Sequence, residues 1–469
     1  MQPTRREILK AAALVALAPA AALRVRAQVA ADPWSAVPGI LARIAPPRFP
    51  ARDFDITRYG AARGGATDSS AGILAAIEAC SAAGGGRVVV PDGTFLTGPI
   101  RLRSRIDLHL SEGATLKFST DPTRYLPPVF TRYEGMELMG YSPLISCLDA
   151  EDVAITGSGT LDGQADRAHW WDLLTARPAG LPSLAESRRR LMDMVARATP
   201  VGDRVFGEGS ALRPQFIQPY RSRNVLVEGI TIVNSPMWEI HPVLCTSVIV
   251  RGVTIRSHGP NNDGCNPESC RDVLIEDCAF DTGDDCIALK SGRNDDGRRL
   301  GAPVENVIVR GCTMKDGHGG VTIGSEISGG ARNVFAERCR MDSPELDRAL
   351  RIKTNAIRGG IVEKIYMRDV TIGEVKEAIV HVDFNYEEGD KGSYTPIVRD
   401  IDVRNVTSRK SAFGLFLRGY ERSPISNVSL TNCTFENVAK GDLLEHVRNL
   451  VLTNVIVNGM TLNQTINRI

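Results

Sequence analysis

The chain of 469 residues has little of several things, and each scarcity excludes something. Past the first thirty residues no apolar run approaches the ~20 residues that cross a bilayer, so the body of the chain does not read as membrane-spanning. Charge of one sign is not in excess: 56 Lys and Arg stand against 55 Asp and Glu, a net of +1. No global basic bias points to nucleic acid or to an anionic membrane surface, so an anionic ligand must be met by local cations. No CxxC pair occurs, which argues against a zinc site. Aromatics make up only 6%. Glycine, by contrast, is abundant at 44 residues, as in a turn-rich β protein.

The N-terminus reads as an export signal. Arg5-Arg6 precede the apolar run Ala11 to Leu23, the twin-arginine pattern, and Val25-Arg26-Ala27 offers a cleavage site. The expected organisation is a signal peptide over 1–27, a linker over 28–52 and one domain over 53–469, periplasmic or secreted. Ten cysteines invite a disulfide reading in an exported protein. However, a chain exported already folded has met a reducing cytoplasm, and Cys278, Cys312, Cys339 and Cys433 share one position of a repeat. They are expected to be buried free thiols.

From residue 225 one pattern recurs: apolar, any, apolar, two polar or small residues, apolar, any, apolar. Copies are Val225/Val227/Ile230/Ile232, Val248/Val250/Val253/Ile255, Val273/Ile275/Cys278/Phe280 and Val307/Val309/Cys312/Met314. Weaker ones begin at Val334 and Ile365, and Val428/Leu430/Cys433/Phe435 and Leu450/Leu452/Val455/Val457 close the series. Successive starts lie 23, 25, 34, 27 and 31 residues apart, a solenoid period. The alternation has period two, hence strands with one buried face, and no helical period accompanies it. An all-β, parallel β-helix fits, one coil per repeat. Ser69 to Ala83 reads as a helix with Ile73, Leu74 and Ile77 on one side, capping the first coil, with Gly84-Gly85-Gly86 as its stop. Residues 165–210 break the repeat and hold a second expected helix, Leu184 to Ala198, read as an insertion that either walls a cleft or is a solvated surface helix with an apolar underside. Glu388 to Ser393 reads as a loop tip.

Four polar clusters follow repeats at similar places: Asn261-Asn262-Asp263-Gly264, Gly283-Asp284-Asp285, Gly317-His318-Gly319 and Arg351-Ile352-Lys353. Asp263 and Asp285 are 22 residues apart, Asp284 and His318 34, His318 and Arg351 33. Taken as one coil per step, with coils ~4.8 Å apart, the clusters share one face over roughly 15 Å. Three crowded carboxylates split their affinities for protons, which suits glycoside hydrolysis by one protonated and one ionised group. Arg351 and Lys353, two apart on a strand, point the same way and can hold a substrate carboxylate. Taken singly, each cluster is equally a turn or a solvated strand, and three aspartates can also hold calcium.

The ordered set of an Asn-x-Asp-Gly type cluster, Gly-Asp-Asp, Gly-His-Gly and Arg-Ile-Lys resembles glycoside hydrolase family 28, the polygalacturonases. Asn234-Ser235-Pro236-Met237-Trp238, Cys286 through Gly292 and Gly324-Ser325-Glu326 support it, and the likeness spans roughly residues 53 to 460. The resemblance implies a right-handed parallel β-helix and hydrolysis of α-1,4-galacturonosyl bonds in pectic chains, with inversion and no metal or other cofactor. It implies Asp284 as general acid, Asp263 and Asp285 on the attacking water, and His318 orienting the acid. It further implies Asn262 (where the family usually has Thr), Lys290, Arg351 and Lys353 as substrate-binding residues. One-coil spacing lies nearer the geometry of retaining enzymes, so spacing and resemblance differ on stereochemistry. Trp238 and Ser325-Glu326 look like exo-acting bacterial members. Rhamnogalacturonan or xylogalacturonan backbones are alternative substrates. A pectate lyase or a non-catalytic β-helix binder are alternative functions.

Overall fold

A computed structural model describes residues 32–174 and 180–469. The expected signal peptide, 1–27, lies outside the described residues. The chain divides at Ser35/Ala36, and the unit from Ala36 onward holds the whole repeat. Part of the expected linker, Val37–Leu41, is a short helix, and Arg43 just after it bonds to Asp272 through Nε at 3.0 Å.

The repeat is a right-handed parallel β-helix. Val225 pairs with Val248, Val248 with Val273, Val273 with Val307, Val307 with Val334 and Val334 with Ile365, in the register that the pattern requires. Two further steps run through a coil that the pattern misses: Ile365 pairs with Ile401, and Ile401 with Val428. That coil, Ile397–Arg404 with Thr407–Lys410, ends its inward pattern on buried Ser408 where the others have an apolar residue, which hides it. The core is the stack of inward side chains from successive coils. Each buried Val, Leu or Ile contributes about 1.5–3 kcal/mol against the cost of ordering the chain. Ile230, Val253, Cys278, Cys312, Cys339, Val370, Val406, Cys433 and Val455 are buried at the shared break position. All ten cysteines are buried and free.

One position per coil takes the left-handed conformation: Asp152, Asn224, Ser247, Asp272, Asn306, Asn333, Lys364, Asp400, Asn427 and Asn449 all have φ between 52° and 59°. Asn and Asp tolerate it best among residues with a side chain. Their side chains also bond from coil to coil, as Asn306 Nδ2 to Asp272 Oδ1 and Asn333 Nδ2 to Asn306 Oδ1, both at 3.0 Å.

The capping helix is Ser70–Ala82. Asp68 Oδ1 accepts from the Ser70 N–H at 3.1 Å, and Gly84 and Gly85 end the helix with positive φ. Ile73, Ala76, Ile77 and Cys80 face the first coil, but Leu74, expected on that side, points out and is 50% exposed. At the other end Met460–Arg468 runs antiparallel to Val447–Val457. The insertion helix is Leu184–Ala196, with a Ser183/Glu186 capping box. It packs on an antiparallel hairpin that the repeat pattern does not announce, Val129–Tyr133 with Met136–Gly140. Tyr133, Met136, Leu138, Leu191, Val195, Phe206 and Trp238 join in one apolar cluster there.

Candidate active site

The polar clusters lie on one sheet face, although in a register different from the one the spacing suggests. Cys265 pairs with Ile287 and Ile287 with Val321, which sets Asp263 beside Asp285 and Asp284 beside His318 on adjacent coils. The next step is not Arg351. Thr322 pairs with Arg351, and Gly317 with Leu346, so the residue in line with Asp263 and Asp285 is Arg348. Arg351 and Lys353 stand further along the strand Arg348–Lys353 and reach back with long side chains. The cluster is therefore tighter than four stacked coils: one oxygen from each of Asp263, Asp284 and Asp285 falls within 4.8 Å of the others.

The motif glycines are there because nothing larger fits. A Cβ on Gly319 would lie 2.2 Å from Thr322 Oγ1 and 2.9 Å from Asp285 Oδ1, and one on Gly283 would lie 2.4 Å from the Gly259 carbonyl oxygen. At each point the backbone comes close to the acids or to the neighbouring coil, and only a missing side chain allows it.

Each aspartate has its own partners. Asp285 is fully buried; its Oδ1 accepts from Thr322 Oγ1 at 2.7 Å and Arg351 at 3.2 Å, its Oδ2 from Lys353 Nζ at 2.7 Å. Burial opposes its ionisation, but the charges of Lys353, Arg351 and Lys290 prevail and hold it far below the usual range. Asp284 Oδ1 accepts from its neighbour's N–H at 2.9 Å and faces His318 Nδ1 at 2.9 Å. Burial acts most strongly, to raise Asp284, but the hydrogen bond to His318 and the charges of Lys353 and His318 together outweigh it, so the carboxyl is lowered. That same hydrogen bond raises His318, whose side chain is 52% exposed at the mouth of the site. Asp263 is pushed up to about 7, first by burial and then by repulsion from Asp284. Its Oδ2 accepts from Asn266 Nδ2 at 2.8 Å and lies 3.5 Å from Lys290 Nζ. One coil earlier Glu239 is buried, its carboxyl held above the usual range by burial and by Asp263.

The raised value of Asp263 has a consequence for stability. A carboxyl raised on folding holds its proton more tightly folded than unfolded, so ionising it between about pH 4 and pH 7 costs stability. Asp263→Asn is expected to match the parent near pH 4 and exceed it at pH 8 by a few kcal/mol, at about 1.4 kcal/mol for each tenfold change in proton affinity. Thermal unfolding across that range checks it; a gap that does not widen with pH would contradict the assignment.

Two residues expected to touch substrate are buried and engaged by partners within the protein. Asn262 is fully buried, and its amide is used up inside: Oδ1 accepts from Ser257 Oγ at 2.7 Å and the Gly259 N–H at 2.8 Å, while Nδ2 donates to the Ser235 and Met237 carbonyls at 3.0 and 3.2 Å. It props the Asn234–Trp238 turn under Asp263. Lys290 is buried over the Trp238 ring at 4.3 Å and pairs with Glu326 at 3.0 Å, so it balances carboxylates within the protein. Sequence reasoning missed Thr322, Asn266, Glu239 and Arg348; only Asn266, three residues after Asp263, carried a local signal.

The donor set does not suit a dication. Both oxygens of Asp285 are engaged by cations, and Lys290 lies against Asp263, so a metal ion among the three carboxylates would meet Lys290, Arg351 and Lys353.

The cleft is closed on one side. Thr131 of the hairpin donates to Gln218 Oε1 at 2.6 Å, Gln218 Nε2 meets His241 Nδ1 at 3.1 Å, and His241 Nε2 meets Glu268 Oε2 at 2.8 Å. Gln218, His241 and Glu268 belong to three successive coils, the last that of Asp263, and all three are sealed from solvent. The hairpin tip is held by Glu134, which pairs with Arg293 at 2.8 Å and with Arg188 of the insertion helix. Arg132 of the hairpin bonds Glu268 at 2.8 Å on the coil of Asp263 itself, so the wall stands directly beside the acids.

Comparison with known proteins agrees with this geometry. A family model, that of the Glycosyl hydrolases family 28, matches residues 206–461. A probable polygalacturonase of Vitis vinifera is 30% identical over 76% of this chain and 68% of its own length. An exo-poly-alpha-D-galacturonosidase of Dickeya chrysanthemi is 27% identical over 76% of this chain and 62% of its own. The crystal structure of a hyperthermoactive exopolygalacturonase from Thermotoga maritima is 45% identical, covers 93% of this chain and 98% of its own, and superposes with a TM-score of 0.90.

Proposed function

The chain belongs to glycosyl hydrolase family 28, and from that premise we propose that it hydrolyses α-1,4-galacturonosyl bonds of pectic chains, removing single galacturonate residues from an end. The observation that carries the exo reading is the hairpin that walls the cleft at the coil of Asp263, with His318 exposed at the open side.

In the proposed reaction the terminal ring lies between the wall and the three carboxylates. Asp284 protonates the leaving glycosidic oxygen as its bond to C1 breaks. A water forms the new bond to C1, and its proton passes to the Asp263/Asp285 pair. His318 and Asp284 hold one proton between them across the 2.9 Å hydrogen bond, so transfer along it arms Asp284 as the acid. Arg351 and Lys353 meet the sugar carboxylate while keeping Asp285 ionised. Inversion is part of the proposal, on the family's account. Export by the twin-arginine route rests on Arg5-Arg6 and the apolar run after it.

The test is a time course on polygalacturonate in EDTA. Monogalacturonate is expected as the first product, in the β form. Mixed oligomers would retain the hydrolase and remove the exo reading. A product absorbing near 235 nm that forms with calcium and is lost in EDTA would indicate a lyase, and turnover of rhamnogalacturonan alone would move the substrate.

A further inference from the structure

The sheet face that carries Arg351 continues past the wall into a surface the reaction does not use. Arg101 pairs with Ser146 and Ser146 with Gln218, the residue that the hairpin covers. On the far side of the hairpin, Val129 and Phe130 form one lip of a cavity of about 270 Å³, with Ser146, Tyr220 and Arg101 among its lining. A cavity of about 550 Å³ adjoins it, sharing Arg101 and Leu148, and is lined further by Arg103, Arg105 and the exposed Leu74.

The chemistry of this groove is that of a site for acidic sugars. Arg101, Arg103 and Arg105 alternate along the chain and all are exposed. Arg103 has Glu78 at 3.7 Å, the two side chains each 57% exposed; among the described residues no ion pair is formed by Arg101 or Arg105. Arg221 lies 5.4 Å from the centre of the Phe130 ring and 5.5 Å from that of Tyr220, and it pairs with Asp149 at 2.7 Å. Free guanidinium groups grip carboxylates in bidentate fashion. The fold has no use for Arg101 and Arg105 as they stand, since neither closes a buried charge. Leu74 faces out of the capping helix at the groove's rim, an apolar side chain that the core does not claim.

We propose that the two joined cavities form a second glycan site, which holds an internal stretch of a polyuronide chain without cleaving it. The proposal rests on the polygalacturonate reading for its ligand. Four coil steps, about 19 Å at ~4.8 Å each, separate Arg101 from the coil of Asp263, through Ser146, Gln218, His241 and Asn266. A chain held there keeps the protein on its polymer while the cleft waits for an end.

Stoichiometry tests it, because a walled cleft admits only chain ends. Full-length protein carrying Asp284→Asn is mixed with long polygalacturonate, and the proteins bound per chain are counted by analytical sedimentation. Several per chain are expected, falling to no more than one when Arg101→Ala and Arg105→Ala are added, with affinity down about tenfold. Fully methyl-esterified pectin is expected to bind at most one per chain. An unchanged count in the arginine variant, or equal binding of the neutral polymer, would overturn the proposal. Digalacturonate turnover by the same arginine pair on the active background is expected to equal the parent's. Failure of the parent to cleave digalacturonate would count against the hydrolase reading, separately from the groove. If the pair unfolds the chain, Arg101→Gln alone is read against the same count.

Discussion

Asp284→Asn is expected to lower kcat on digalacturonate by roughly 10²–10⁴-fold, the usual worth of a positioned general acid, with KM changed only a few-fold. The substitution keeps the shape and the acceptor oxygen that takes the Asp285 N–H, so the backbone of the Gly283–Asp285 turn has no reason to move. What disappears is the proton donor at the leaving oxygen. Since the carboxyl acts in the transition state and not in the resting complex, the loss falls on kcat and kcat/KM together. The variant's thermal unfolding should remain close to the parent's. Retained turnover would mean that the leaving group departs without Asp284, and would pass the acid role to Asp263, the carboxyl that holds its proton to about 7.

The second large effect is on folding. Glu326→Ala is expected to cost on the order of 3–5 kcal/mol, the range for removing one partner of a buried ion pair. Glu326 accepts from Lys290 at 3.0 Å and Arg293 at 3.2 Å, and both cations have at most 3% of their side chains exposed. From Arg293 the chain of charges continues to Glu134 at the hairpin tip and to Glu387, and from Glu387 to Arg358 at 2.6 Å. Deleting that anion leaves Lys290 with Asp263 alone and Arg293 with Glu134 and Glu387, a buried network one negative charge short in a medium that penalises the deficit. Chemical denaturation of the two proteins side by side measures the loss. Adding Lys290→Met to the variant removes one stranded cation and is expected to restore part of it. A neutral result for Glu326→Ala would show that water reaches the network.

Most of the scaffold was legible because a β-helix repeats its own signal. Val273/Ile275/Cys278/Phe280 and its copies state the strand, the break and the inward face, and pairing from coil to coil follows from aligning them. The site motifs were legible as a set for the same reason. Side-chain direction was not. Asn262 sits in a motif with Asp263 yet turns inward, because four partners from two other segments meet its amide there. The hairpin at 129–140 was illegible for a related reason. Arg132, Glu134 and Glu137 carry no strand alternation of their own, and their charges can be buried because Glu268, Arg293 and Arg299, each more than 130 residues away, supply their partners. Arg348 was passed over because the count of residues from His318 lands on Arg351, whereas the register is set by the strand pairing.

The reversal of direction in the last strand makes the molecule finite. Every earlier coil offers its free edge to another of the same kind, and a stack of that sort can in principle grow by adding copies end to end. Met460–Arg468 runs the other way and shows solvent a mostly exposed, polar row that includes Asn463, Gln464 and Thr465. The opposite end is covered by the capping helix. A reversed polar strand at one end and a helix at the other mean that neither described end presents the coil's own parallel, apolar template to a second copy.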